Sequence, residues 1–378
     1  MIKKMICVLF CFILMSTIVY ADIEINNDDV TTVETEETIK VYTLSLDDAI
    51  KMALTDNPQL NACLEKKEDT KIQLKSARET KADYRDLKNI PISSAYELVY
   101  IKNGYYVHTY EKMLKLSDYE YKQIEGQIAY KVTEKYFNLK NCEKLVEISE
   151  NSYKLVLTNY NNTKLSYDLG IISKSELDSA YVSLLQTKFN LQSTTDNYEI
   201  AEEDFKIALN KNNENCKFVL TDTLDVTEFS TNLSEDLTKA ENSRYDITSL
   251  KTNYELAKEY LDLTLGGATT RKSSAKSSFI TAEYNYNNNK SLILLGIKSS
   301  YNNITSSYNN VTLASETLKL KKNAYNIARI QYEQGLITNI ELLTAMNNMY
   351  AAEVEFENAK LKYRLSVDKY KYDIEIGI

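Results

Sequence analysis

Residues 167–177 read "YDLGIISKSEL" and residues 332–342 read "YEQGLITNIEL", one phrase written twice, 165 positions apart. Each copy carries a helix stop followed by a helix start. Gly170 and Gly335 can adopt the left-handed backbone that ends a helix without a Cβ penalty. Ser173 and Thr338 are N-cap residues, and Glu176 and Glu341 stand three positions later, which makes a capping box in each copy. The phrase therefore predicts a tight tip between two antiparallel helices. Two apolar residues follow each glycine: Ile171 and Ile172 in the first copy, Leu336 and Ile337 in the second. They can staple the turn or offer a contact to a partner, and both readings stand at this point.

The duplication extends outward from the tips. Before Gly170, the positions Leu139, Cys142, Val146, Ser149, Tyr153, Val156 and Tyr160 alternate in steps of three and four. Before Gly335, Val311, Ala314, Leu318, Lys321, Tyr325, Ala328 and Tyr332 do the same. That is the period of coiled-coil packing. Nearer the start, "LSLDDAIKMALTDNPQL" (44–60) opens with an S-x-x-D cap at Ser45 and is echoed by "LSEDLTKAENSRYDI" from Leu233. Asn103-Gly104 and Gly266-Gly267 mark the return turns, and no proline lies between either of them and its tip. Each half thus predicts one helix of about 65 residues, about 95 Å long. The first half is longer between Leu60 and Gly104, where Pro91 marks a break. Within it, 96–110 fits a helix-turn-helix, while Asn103-Gly104 between aromatic and β-branched residues also fits a β-hairpin.

The expected fold is all-α: long antiparallel coiled-coil hairpins, internally duplicated. Residues 1–21 read as a secretory signal peptide, with a basic start, an apolar run and the small-residue end "VYA". Residues 22–43 read as a disordered acidic leader, 44–209 as the first repeat, 210–232 as a connector and 233–378 as the second repeat. A short strand is expected near Phe218–Leu220. The chain is thus expected to be exported to the cell envelope.

Composition excludes several functions. Two prolines and eight glycines in 378 residues leave little turn chemistry for β-rich folds. A net charge of −9 argues against nucleic acid as a partner. One histidine and three widely spaced cysteines outside the signal peptide assemble no catalytic or metal constellation, and no phosphate-binding loop occurs. No enzyme activity, cofactor or metal is expected.

In its motifs and their order the chain resembles the TolC family of outer-membrane efflux proteins. The segments that carry the resemblance are "LSLDDAIKMALTDNPQL", "YDLGIISKSELDSA" and "YEQGLITNIELLTA". The resemblance implies a homotrimer whose α-barrel serves as an export duct. It also implies tips that meet an adaptor (membrane fusion) protein linked to an inner-membrane pump. By position, Gly170, Ile171, Ile172, Gly335, Leu336 and Ile337 would form that contact. Glu176 and Glu341 match the family's entrance carboxylates as well as the capping box. The outer membrane is the implied location. Between its ascending and descending helices, however, the second repeat has only "GGATTRKSSAKSS", too short and polar for the two membrane strands of such proteins. Little or no β-barrel is therefore expected. The other reading of the whole is a structural or adhesive coiled-coil protein of the envelope without transport.

Overall fold

The computed structural model describes residues 40–85, 95–212, 214–264 and 269–377. Residues 1–21, read as a signal peptide, most of the expected leader, Pro91 and Gly266-Gly267 lie outside them. Each repeat is built from the same four kinds of helix. In the first these are α1 (Leu46–Leu54), α2 (Pro58–Tyr84), α4 (Tyr105–Asp168) and α5 (Lys174–Ala208), with the short α3 (Ala95–Asn103) added on the ascending arm. In the second they are α6 (Leu233–Ser243), α7 (Tyr245–Thr264), α8 (Thr269–Glu333) and α9 (Asn339–Glu375). Segment 96–110 is helix-turn-helix, and the β-hairpin alternative is ruled out. Gly104, at φ +77°, supplies the left-handed turn between α3 and α4.

The start of α1 follows its sequence. The Ser45 side chain accepts the Asp48 N–H at 3.2 Å, and two acids occupy the first turn, where they complement the helix dipole. Ala49 and Ala53 form its buried face.

The duplication is visible in the core. Val132, Tyr136, Leu139, Phe205 and Leu209 of the first repeat occupy one cluster. Ile297, Tyr301, Ile304, Tyr370 and Ile374, each 165 positions later, lie in or against a second. The ring pair Tyr136–Phe205 (5.9 Å) is repeated as Tyr301–Tyr370 (5.8 Å). Tyr136 donates to the Asp222 carboxylate (2.9 Å) and accepts the Asp222 N–H (3.0 Å), which fastens the connector. Burial pushes this phenol up to about 12. Tyr370 likewise donates to Asp236 (2.8 Å).

One expectation fails at its boundary. Lys40 to Thr43, expected as leader, form with Leu44 a strand, β1 (Lys40–Leu44), paired in parallel with β2 (Cys216–Leu220). Tyr42 stacks on Phe218 with ring centroids 5.9 Å apart, and Leu44 is buried. The alternating Tyr42 and Leu44 are what a half-buried strand needs, but the partner lies in the connector, far along the chain. β2 itself falls at the expected short strand.

Four long helices lie side by side. α4 packs along α5 and α8 along α9, and α4 also packs on α9. The lateral order is therefore α5, α4, α9, α8, with α5 and α8 at the two edges.

Candidate functional site: the paired tips and the open edges

At the first tip, Gly170 (φ +74°) donates to Tyr167 O and Ile171 to Ser166 O. At the second, Gly335 (φ +72°) donates to Tyr332 O and Leu336 to Gln331 O. This pair of bonds is the Schellman stop. Its usual apolar contact would join Ile171 to Ser166 or Leu165 and Leu336 to Gln331 or Ile330; the former of each pair is polar, and Leu165 and Ile330 are themselves 60% and 49% exposed. Ile171 is consequently 71% exposed and Leu336 68%. Ile172 and Ile337 are half-buried in the turn. The first apolar residue of each tip therefore does not staple the turn.

Both capping boxes are complete. Ser173 N–H donates to Glu176 Oε2 (2.9 Å) while Ser173 Oγ accepts the Glu176 N–H (3.4 Å). The second tip repeats this through Thr338 and Glu341 (2.8 and 3.3 Å). The backbone and hydroxyl donors of Ser173 and Thr338 hold both carboxyls below the ordinary glutamate value. Glu176 and Glu341 are thus charged capping groups at neutral pH.

The second tip is tied to the first hairpin by a contact the sequence did not advertise. Asn339, the first residue of α9, is buried. It donates to Thr163 Oγ1 (3.1 Å) and accepts from Asn159 (2.8 Å). Higher on the same seam, Asn141 donates to Asn358 (3.0 Å). Asparagines at a helical seam fix register at some expense in stability. Between α4, α5 and α9, just above the tips, runs a groove of about 840 Å³ lined by Ser152, Val182, Ser183, Thr187, Phe189 and Leu343 among others. The buried Ser183 hydroxyl has no partner there.

The two edges are unequal to the centre. Ile148 of α4 is 3% exposed, in one cluster with Leu343, Met346, Met349 and Tyr350 of α9. Its counterpart on α8, Leu313, is 66% exposed. Met346 of α9 is 3% exposed, whereas its counterpart on α5, Tyr181, is 47% exposed. On α5, Leu185 is also exposed, while Val182 and Phe189 line the groove; on α8, Leu320, Ile327 and Ile330 are exposed.

Among the described residues no group of His, Cys, Asp and Glu could hold a metal ion, and no helix is long and apolar enough to cross a membrane. Cys63, Cys142 and Cys216 are free thiols.

Duplicated hairpins with matched tips are the fold this chain shares with a set of solved channel proteins. Residues 229–368, most of the second repeat, match the family described as Outer membrane efflux protein. The chain thus resembles these efflux proteins, a class of channels and not of enzymes, in sequence over the second repeat and in fold over nearly all its length. The Campylobacter jejuni CmeC outer membrane channel superposes with a TM-score of 0.71 at 16% identity, covering 87% of this chain and 85% of that one. The outer membrane protein VceC from Vibrio cholerae gives 0.69 at 12% identity, covering 88% and 97%. The open state of the Neisseria gonorrhoeae MtrE outer membrane channel gives 0.61 at 13%, covering 88% and 89%. No curated protein matches the chain in sequence.

Proposed function

We propose that three copies of this chain close into a helical tube that serves as an export duct, with the six hairpin tips at one mouth. The carrying observation is the inequality of the edges. Within the chain, α4 of the first repeat is covered by α9 of the second. The equivalent face of α8 has no first-repeat helix against it, and α5, which meets α4 and part of α9, has no α8 beside it. Placing α5 of the next copy against α8 repeats the internal contact, with Leu313 taking the part of Ile148 and Tyr181 that of Met346. Such a head-to-tail contact makes a ring when its rotation closes. Six quasi-equivalent hairpins then line one conduit, and the work is done by the passage rather than by chemistry.

The tips are the docking end of this duct. Ile171 and Leu336 stand exposed beside polar stops, and the groove above them is apolar with a hydroxyl-rich floor, a shape that accepts another coiled-coil hairpin. An adaptor protein leading to an inner-membrane pump is the partner that fits this reading. Glu176 and Glu341 would place six carboxylates near the mouth in addition to capping their helices. Localisation in the envelope follows. Insertion through a β-barrel is disfavoured by chain length, since only residues 265–268 separate α7 from α8 and a spanning strand needs about 9–11 residues.

Leu313→Asp tests the ring. Sedimentation should show the wild type as a trimer and the variant as a monomer of unchanged helicity. A wild type that stays monomeric at micromolar concentration would instead favour the structural coiled-coil reading.

A further inference from the structure

We infer that the groove above the tips is a binding site for uncharged, amphipathic small molecules. The site is complete within one chain and goes beyond the duct reading without depending on it. Its floor is α4 at Ile148, Ser149 and Ser152, and its two walls are α5 and α9. Its volume of about 840 Å³ falls in the range of roughly 300–1,000 Å³ usual for drug-sized ligands. An adaptor hairpin docked at the tips and a small ligand in the groove would share these walls, so the chain alone is the proper object of a test.

The lining is unlike the rest of the chain in its charge. Asp, Glu, Lys and Arg make up 26% of the sequence, yet none of them, and no histidine, lines the groove. Tyr350 could ionise, but burial pushes its phenol well above the ordinary value and keeps it neutral. An ion entering this groove would give up water and meet no opposite charge, which is costly. A neutral molecule meets no such penalty.

The second repeat shows that the fold does not impose this neutrality. Its corresponding depression is formed by α8 and α9 alone and measures about 350 Å³. There Ser152 is matched by Thr317 and Ser193 by Asn358, but Asn190 is matched by Glu355, and Lys362 joins the lining. The same helical face carries charge where two helices form it and none where three do.

The walls supply both kinds of contact that an amphipathic ligand needs. Val182 and Phe189 of α5 are 64% and 69% exposed, and with Leu343 and Val354 of α9 they make an apolar bed. Unused hydrogen-bonding groups stand among them. The buried Ser183 Oγ has no partner, which is uncommon for a buried hydroxyl. Gln186 donates to Asn190 Oδ1 at 3.0 Å, which leaves the Gln186 carbonyl oxygen and the Asn190 amide hydrogens to meet a ligand. A broad apolar surface with a few convergent polar groups is the usual composition of a small-molecule site.

The test is fluorescence titration of the purified full chain with two dyes that share an aromatic body. Phenylnaphthylamine is neutral, and anilinonaphthalene sulfonate adds a negative charge. The expected result is saturable binding of the neutral dye, one per chain, at least about tenfold tighter than that of the anionic dye. Phe189→Ala and Asn190→Glu should each weaken it about tenfold. Leu320→Ala, at an equally exposed residue of α8 outside the groove, should leave it unchanged. The Leu313→Asp chain, expected to be monomeric, should bind the dye as the wild type does, which keeps failure of the site distinct from failure of the ring. Circular dichroism checks that each variant is folded. Equal binding of the two dyes, many sites per chain, or full binding by both Phe189→Ala and Asn190→Glu would overturn the proposal.

Discussion

The two repeats share a register and differ in what covers them. α9 buries sixteen residues among its neighbours, while α5, its counterpart, buries five. Nothing in the local chemistry of the two tips explains this, because their stops, caps and capping boxes are the same bond for bond. The difference is one of position. α9 lies between α4 and α8, whereas α5 packs along α4 and only partly against α9. A duplicated chain whose two halves met identically would have no reason to leave Leu313 uncovered and Tyr181 resting only on Tyr160 of its own hairpin while burying Met346 and Ile148. In the proposed ring, the exposed edges would make the same contact as the internal seam.

Substitutions can break that comparison. The largest effect is expected from charge at the open edges. Tyr181→Asp or Leu313→Asp should reduce association more than a hundredfold, since one buried charge at such a contact costs several kcal/mol. Analytical ultracentrifugation would read this, and the melting of the separated protomer should hardly change. The reverse holds at the seam. Ile148→Ala should cost the folded chain about 2–5 kcal/mol, whereas Leu313→Ala should cost the protomer little, as compared by urea denaturation.

A smaller effect is expected at the tips. Ile171→Asp together with Leu336→Asp should leave circular dichroism unchanged yet abolish export and adaptor capture. Retained export would leave the exposed tip residues without the role assigned to them. The caps come next. Ser173→Ala and Thr338→Ala should each cost about 1 kcal/mol, equally in both halves, which hydrogen exchange at the tip amides would report.

Last is the pH response of the same boxes. The carboxyls of Glu176 and Glu341 sit below the ordinary value of 4.5 in the folded chain. Their contribution is thus complete above that value and is lost as pH falls through the depressed one. The tip-exchange difference between the wild type and a Glu176→Gln, Glu341→Gln variant should vanish under acid. A difference that persists once both carboxyls are protonated would contradict the capping assignment.

The tips were legible because everything that makes them is local. A glycine stop, a hydroxyl cap and a glutamate three residues on suffice to write a Schellman turn and a capping box. The long helices were legible from missing punctuation and a steady period of three and four. The seam between α4 and α9 was not legible, because heptad positions on every long helix look alike until it is known which helix lies beside which. Asn159 and Asn339, 180 positions apart, carry no sign of each other in the sequence. The strand at Lys40–Leu44 was hidden for the same reason: its partner, Cys216–Leu220, lies across the whole first repeat. Ile171 and Ile172 could be narrowed only by the structure, in which Ile171 and the nearby Leu165 both stay largely exposed.

The central claim is ring closure through α5 and α8. Its most direct test is cross-linking in intact cell envelopes of a chain carrying Tyr181→Cys and Leu313→Cys, with each single cysteine as control. The account predicts covalent dimers and trimers in the double variant, no species above the trimer, and no such ladder in the controls. A monomer alone, or a ladder running on past three copies, would contradict it.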